Sequence, residues 1–510
     1  MFSSISRKWQ RAVGRLACGI LLTLPLYVQA APAWTGVLSF GGAGTDIGQA
    51  IKTDSVDETY VTGAFSESAF FRQAPRPAAK MLTSAGGTDV FLAKYDRNSN
   101  LSWVISAGGA GDDQGFDIAF DSARNVYLTG AFTDSATFHS TNHSSKTVTG
   151  NSQTIFLAKY NSSGVLLWVQ TGVADFGGSN NGFGVAIDPG SGSVYVTGMG
   201  QGDIVFSASD GTTHTVPGAG TWHMFLAKYD TAGHFKWGQT NEASPNTVAH
   251  KLALDGQGSP YVVGWMEGQA IFHSSDGHDL TVNGFSQPVQ SFPDFPGDAY
   301  VAKYDANGNA KWVNHIGGYK GVGTEIAISH DNKVTITGFI GNVAGSPAQA
   351  STIVTSQPGG KNINLGGGIF TVPFNRDVFV ATYNQAGVLL NARRFGGTLD
   401  DGGSGLAYDN QNNLLLAGIF SDSIEIDGAV FSRTEPTSLF VAKFQGSDPS
   451  KRFWVRTAGG PGVSDLENDP RIEWHDGQVL VTGTYETVAR FDHIRLIGLG
   501  DWDGFIGALK

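Results

Sequence analysis

Four short motifs recur along this chain of 510 residues, two of them seven times, and that recurrence limits the fold more than any other feature. The first is a strand ending in Thr-Gly or a close variant, at Gly63, Gly130, Gly198, Gly264, Gly338, Gly418 and Gly483, with spacings of 67, 68, 66, 74, 80 and 65 residues. The second reads Asp-Val-Phe-Leu-Ala-Lys-Tyr at Asp89–Tyr95, with relatives starting near Ile155, Met224, Asp298, Asp377, Leu439 and Asp503. The third is a tryptophan followed by Gly-Gly, at Trp103, Trp312 and Trp454; Trp168 and Trp237 hold the same place with altered spacing, and Asn391 replaces the indole once. The fourth is a short strand ending in Asp, as in Ile118–Asp121 and Leu406–Asp409. Gly41 to Gly63, Gly108 to Gly130 and Gly396 to Gly418 each span 22 residues.

Each unit carries four short β-branched and aromatic strands bounded by Gly, Asp, Asn and Ser turns. Four strands in a repeat of this length are the pattern of one propeller blade. Strands such as Val90–Tyr95 are apolar at nearly every position, as expected when both faces pack against neighbours. The 70 glycines weaken any long helix, and they show no period of three, which excludes collagen. The expected fold is all-β: a single seven-bladed β-propeller over 31–510, with blades at about 47–107, 115–171, 183–240, 249–315, 324–394, 404–457 and 470–509 plus 34–40. Trp34–Phe40 matches the Trp-containing fourth strand, while the chain ends on a third strand, Phe505–Leu509. The N-terminal strand should therefore complete the last blade and remove two free sheet edges.

Gly-Gly-x-Gly-x-Asp, Ile-Ala-x-Asp, Asn-Val-Tyr-Leu-Thr-Gly and Asp-Val-Phe-Leu-Ala-Lys-Tyr, clearest over Leu82–Phe138, resemble the SBBP-type β-propeller repeat of bacterial exported proteins. The resemblance covers essentially all of residues 34–510. It implies a bacterial propeller that is secreted or on a cell surface, and it implies no activity, because a fold does not fix a function.

The first thirty residues stand outside the repeat. Arg7, Lys8, Arg11 and Arg15 precede an apolar run from Leu16 to Val28, and Val28-Gln29-Ala30 offers small residues for a signal peptidase. This is the pattern of a cleaved secretory signal peptide over 1–30, and the run is short of the roughly 20 residues a membrane span needs. The single cysteine, Cys18, leaves with it, so the exported chain has no disulfide and no thiol chemistry. Removing four cations takes the net charge from −12 to −16, which argues against nucleic acid and anionic membranes as partners. The expected location is the periplasm, the cell surface or the medium, as a monomer without a membrane span after cleavage.

The chemistry-bearing candidates are few. Asp46, Asp113, Asp401 and Asp465 end or follow the Gly-Gly turns, on the face that also carries the long connections at about 133–153, 200–222, 267–297 and 341–376. Long connections commonly carry function, so this face is the expected ligand face. The competing reading is that they hold extra hairpins covering the blades; Ile204–Phe206, Ala270–Phe272 and Ile424–Ile426 have strand character. Gly41–Asp46 and Gly108–Asp113 match half of a calcium-binding nonapeptide, but the motif recurs once per blade and not every nine residues. The favoured role of each Asp is to hydrogen-bond its own turn; calcium is the one cofactor to keep open. The recurring Lys94, Lys159, Lys228, Lys303 and Lys443 should run along blade edges and meet a carboxylate or water, with the blade-end acids Asp54, Asp121, Asp188, Asp255 and Asp409 as partners or turn formers. The His273–Asp279 cluster lies in a polar glycine-containing turn and lacks zinc spacing. No nucleophile elbow, phosphate loop or His-Glu-x-x-His occurs, so no catalytic residue is assigned.

Three functions follow in order: a binding module for a protein or glycan through the long-loop face, a carbohydrate hydrolase or lyase with its site at the central channel, and a structural surface protein. An enzyme should show unrepeated polar residues with perturbed protonation converging on the axis. A binder should show an aromatic and polar patch on the outer loops.

Overall fold

The computed structural model describes residues 31–72, 79–218, 222–244, 246–284, 297–317, 320–341, 353–356, 361–365, 376–433, 437–459 and 470–510. The segment 1–30 lies outside them. Every regular element among the described residues is a β-strand, and none of them is a helix long and apolar enough to cross a membrane.

The strands group as the motifs anticipate. Unit 1 is Asp46–Thr53, Thr59–Arg72, Ala79–Tyr95 and Leu101–Gly108, paired antiparallel in that order. Unit 2 is Gln114–Phe120, Val126–His139, Ser145–Tyr160 and Leu166–Ala174. Unit 3 is Asn181–Ile187, Val194–Gln201, Trp222–Tyr229 and Phe235–Ser244. Unit 4 is Thr247–Leu254, Pro260–Met266, Asp298–Tyr304 and Ala310–Gly317. Unit 5 is Lys320–Ile328, Val334–Gly341, Arg376–Tyr383 and Leu389–Phe395. Unit 6 is Asp401–Tyr408, Leu414–Phe420, Ser438–Phe444 and Arg452–Gly459. Unit 7 takes Arg471–His475, Gln478–Tyr485 and Asp503–Leu509, and its fourth strand is Trp34–Gly42, which pairs with Asp503–Leu509 from Trp34↔Leu509 to Phe40↔Gly504.

The long connections between second and third strands are not open loops where they are described. They fold into outer hairpins: Ile204–Ser207 with Thr213–Val216, Gln269–Phe272 with Leu280–Asn283, Ile353–Val354 with Ile363–Asn364, Ser423–Ile426 with Ala429–Ser432, and Val488–Phe491 with Ile494–Ile497. In units 1 and 2 the same hairpin is a direct extension of the two strands, past bulges at Ser66/Ser68 and Thr133/Ser135. Each hairpin leans on the fourth strand of the preceding unit, as in Val205↔Val173, Ile271↔Glu242 and Phe70↔Gly41. This pairing across units merges neighbouring ladders, so among the described residues the strands fall into six sheets, the largest of fourteen strands, and none of these closes on itself. The hairpins cover the otherwise bare end of each fourth strand, which is how a sheet edge is protected. The parts 285–296, 342–352, 357–360 and 366–375 lie outside the described residues.

The recurring motifs join one unit to the next. Lys94 Nζ and Trp103 Nε1 both donate to Ser162 O in the following unit, at 2.9 and 3.3 Å. Lys159 and Trp168 share Thr231 O in the same way, and Lys228 and Trp237 share Ala306 O. Where Asn391 replaces the tryptophan, its Nδ2 donates to Ser447 O at 2.9 Å and keeps the link. Three of the five lysines meet the anticipated blade-end acids, Lys159–Asp121 and Lys303–Asp255 at 3.1 Å and Lys443–Asp409 at 2.8 Å, whereas Lys94 pairs with Glu58 and Asp54 with Arg124. The threonine of Thr-Gly has a repeated task too, for Thr62, Thr129, Thr197, Thr337 and Thr482 each donate to the carbonyl of the motif phenylalanine on the third strand. The following glycine is obligatory, because a Cβ at Gly63 would lie 1.8 Å from Ile47 O.

Candidate functional site

The inner strand of every unit contributes to one cavity of about 480 Å³. A bulge recurs in these strands, between Gly48/Ala50, Gly115/Asp117, Gly182/Gly184, Ala249/Lys251, Gly323/Glu325 and Gly403/Gly405. A bulge adds one residue and re-aims the side chains beside it. The residue after it stands opposite the threonine of Thr-Gly or its equivalent, giving the set Ala50, Asp117, Gly184, Lys251, Glu325, Gly405 and, in unit 7, Arg471. Two residues on, and so on the same face, stand Lys52, Ala119, Ala186, Ala253, Ala327, Ala407 and Glu473.

These two sets depart from the repeat. Four of the first seven residues are charged, in the order acid, base, acid, base, separated by glycine or alanine where a long side chain must pass. Lys251 Nζ lies 3.4 Å from Asp117 and donates to Phe116 O and Phe183 O at 3.1 Å. It crosses unit 3 at Gly184, where a Cβ would stand 3.2 Å from Lys251 Cα. Arg471 Nη1 reaches toward Glu325 at 3.9 Å and donates to Ser404 O across Gly405. In the second set, Lys52 and Glu473 meet at 3.1 Å and tie unit 1 to unit 7. Asp117 is further held by the N–H groups of Ile118 and Val185.

Burial governs the protonation here. It pushes the Glu325 carboxyl up, against the pull of Lys251 and Arg471. It pushes Lys251 down, opposed by Asp117 and Glu325. Lys52 is held above the usual lysine range, chiefly by Glu473. At the bulge itself Gln49, Phe116, Phe183, His250 and Thr324 surround a second, small cavity of about 70 Å³ with Lys251 and Arg471. Phe116 and Phe183 meet edge to face at 4.9 Å, His250 follows at 5.7 Å, and burial holds its imidazole down to about 4. The site is thus a cup walled by alanines, with a charged floor backed by an aromatic plug.

The aspartates expected to mark the ligand face lie elsewhere. Asp46, Asp113 and Asp401 are buried, and each carboxylate accepts the N–H of the glycine four residues before it: Gly42 at 2.7 Å, Gly109 at 2.7 Å and Gly397 at 2.6 Å. They form turns, as their spacing suggests. Asp465 lies outside the described residues. The equivalent in unit 3 is Asn180, since Asn180 Oδ1 accepts Gln201 N as Asp113 Oδ1 accepts Thr133 N. Among the described residues no group of three or more His, Cys, Asp or Glu is placed to hold a metal. Sequence reasoning did not single out the axial charges. Their signal was present: Asp117, Lys251, Glu325 and Arg471 stand where other units have Ala or Gly, but the bulge displaces the alternation and hides the shared position.

No family model matches the chain. It is 25% identical over 461 residues to an uncharacterised WD repeat-containing protein of Acanthamoeba polyphaga mimivirus; the match covers 80% of this chain, which spans about a third (32%) of that relative's length. Among solved structures, virginiamycin B lyase from Staphylococcus aureus is similar at 11% identity and a TM-score of 0.23, over 66% of this chain and 98% of that one. The extracellular domain of a hybrid two-component system from B. thetaiotaomicron is similar at 9% identity and a TM-score of 0.18, over 87% and 96%. The sequence repeat, the four-stranded units and the likeness to a WD repeat-containing protein together support a β-propeller repeat protein.

Proposed function

We propose that the seven units are the blades of one propeller, closed by the N-terminal strand, and that this propeller is an exported module that binds a protein or glycan at its axial cup. The observation that carries the reading is the placement of the unrepeated ionisable groups. Inner-strand positions that are Ala or Gly in some units are Asp117, Lys251, Glu325, Arg471, Lys52 and Glu473 in others, and all six line one cavity. Its volume falls within the range of small-ligand pockets, so the bound element is an exposed side chain or a terminal sugar of a larger partner. The SBBP resemblance, the basic start and the apolar run after it support export from a bacterium; the WD-repeat likeness supports an interaction role. The cup, and not the outer hairpins, is the preferred site, because the hairpins are occupied in pairing with neighbouring units.

A catalytic reading has one observation in its favour, the raised protonation of Glu325 in the cup. Binding is preferred because the other acids are engaged, Asp117 by Lys251 and two N–H groups and Glu473 by Lys52. The test is a glycan array and a displayed-peptide library screened with the wild type and with Ala186→Trp, which fills the cup from an alanine wall. Ligands selected on the wild type should lose about tenfold or more in affinity on the variant, a change of about 1.4 kcal/mol or more. Ligands that bind both proteins equally would place the site elsewhere.

A further inference from the structure

Three junctions between units bury a pair of carboxyl groups. At the junction of units 7 and 1, Asp503 on a third strand faces Asp46 at the start of an inner strand. At units 1 and 2 the pair is Asp89 and Asp113; at units 5 and 6 it is Asp377 and Asp401. All six are at most 3% exposed. A glycine separates each pair: a Cβ at Gly41 would stand 2.2 Å from Asp503 Oδ1 and 3.0 Å from Asp46 Oδ2, and one at Gly108 would stand 2.5 Å from Asp89 Oδ1 and 2.9 Å from Asp113 Oδ2. At Gly396 it would meet Asp377 Oδ1. Glycine is therefore required.

The hydrogen bonds leave one oxygen over in each pair. Asp46 Oδ2 accepts Gly42 N at 2.7 Å, Asp89 Oδ2 accepts Ala85 N at 3.1 Å and Asp401 Oδ2 accepts Gly397 N at 2.6 Å. Asp46 Oδ1, Asp89 Oδ1 and Asp401 Oδ1 are buried with no hydrogen-bond partner among the described residues. An ionised carboxylate with a bare buried oxygen beside a second carboxyl is costly. The other junctions show what the position accepts. Between units 2 and 3 it holds Thr154 and Asn180, both neutral; between units 4 and 5, Asp298 is met by His315 at 3.0 Å. At both of these junctions the position lacks a second carboxyl group.

We propose that each of the three acid–acid junctions takes up a proton shared by its two carboxyl groups, so that the contacts between units are firmest in mildly acidic surroundings and loosen as the pH rises. The proton comes from water and returns to it, leaving two carboxylates that repel. The neighbouring acids act in this direction, and Arg394 beside Asp377 acts against it. Burial raises Asp46 to about 7, with Asp503 and Glu67 adding to it. It raises Asp113 to about 7, with Asp89 and Asp112 adding, and Asp401 to about 9, with Asp377 and Asp400 adding. Arg394, 2.7 Å from Asp377 Oδ2, is the cation facing the third pair.

A carboxyl raised in the folded state binds a proton that the unfolded chain has lost above its ordinary value of 3.8, so stability falls as pH rises through the folded value. His250, held down to about 4, works in the opposite direction below its ordinary 6.5, so the informative window is pH 6.5 to 9.5. Across it the melting temperature of the wild type should fall by about 5 °C. Glu325 titrates in the same direction, so variants assign the effect. In Asp46→Asn and Asp401→Asn the amide oxygen keeps the glycine N–H and the neutral NH₂ replaces the bare oxygen; unit 3 already holds a neutral amide at this position, Asn180. Asp401→Asn should lose much of the slope and Asp46→Asn a smaller part, because the Asp46 proton leaves near the bottom of this window, and both should melt above the wild type at pH 9.5. Independently of any variant, infrared spectra of the wild type at pH 6.5 should show the carbonyl band of a buried protonated carboxylic acid that disappears by pH 10. A melting temperature that is level or rises from pH 6.5 to 9.5, variants with the wild-type slope, or no such band, would overturn the proposal.

Discussion

Replacing Trp34 with alanine should destabilise the fold by about 3–5 kcal/mol, the usual cost of emptying a buried tryptophan site. The residue is four positions into the described chain, where a substitution in an appended tail would cost almost nothing. Here the indole is 1% exposed, meets Phe491 edge to face at 4.8 Å and lies over Gly507, where a Cβ would be 2.6 Å from the ring. It shares a core with Leu415 and Val441 of unit 6 and Val481, Phe505 and Leu509 of unit 7. Its backbone N–H donates to Asp492 Oδ2 at 3.1 Å. The loss should appear as a lower denaturation midpoint in guanidinium at fixed pH, with Trp34→Phe intermediate. A midpoint unchanged within error would mean that the N-terminal strand is not part of the core.

The second large effect concerns the cavity lined by the inner strands. Lys251→Met should destabilise by about 3–5 kcal/mol, because it leaves Asp117 buried without its cation. Asp117→Asn should be costly for the same reason in reverse. The double variant should recover a large part of the loss, since replacing a buried ion pair by neutral groups is often close to neutral. A double-mutant cycle by thermal unfolding measures this directly. Strict additivity of the two single effects would show that Lys251 and Asp117 do not act as a pair.

The two effects differ in how visible they were in the sequence. Trp34 was legible because its strand repeats the third motif and the chain ends one strand short of a unit. Lys159, Lys303 and Lys443 were legible as partners of blade-end acids because repetition marks a structural part. Asp117, Lys251, Glu325 and Arg471 were not, since their meaning depends on bulges that bring different units to one axis. The outer hairpins were half legible: Ile204–Phe206 and Ala270–Phe272 read as strands, but their pairing with the preceding unit is a matter of space and not of composition. Asp46, Asp113 and Asp401 were correctly tied to their glycine turns. That each faces another aspartate of the neighbouring unit has no local signal, because 24 residues or more separate the members of each pair.

The central claim is that the first described strand is the last strand of the seventh unit. Gly36 is paired with Ala508, and a Cβ at Gly36 would meet nothing within 4 Å. Cysteines at these two positions, with Cys18 absent or replaced, fall within the Cα separation that a disulfide tolerates. On mild oxidation at low protein concentration, Gly36→Cys/Ala508→Cys should form an intramolecular disulfide nearly completely, run faster than the reduced chain on a denaturing gel, and melt at a higher temperature than its reduced form. Free thiols that persist in the folded protein, or disulfides found only between chains, would contradict the account.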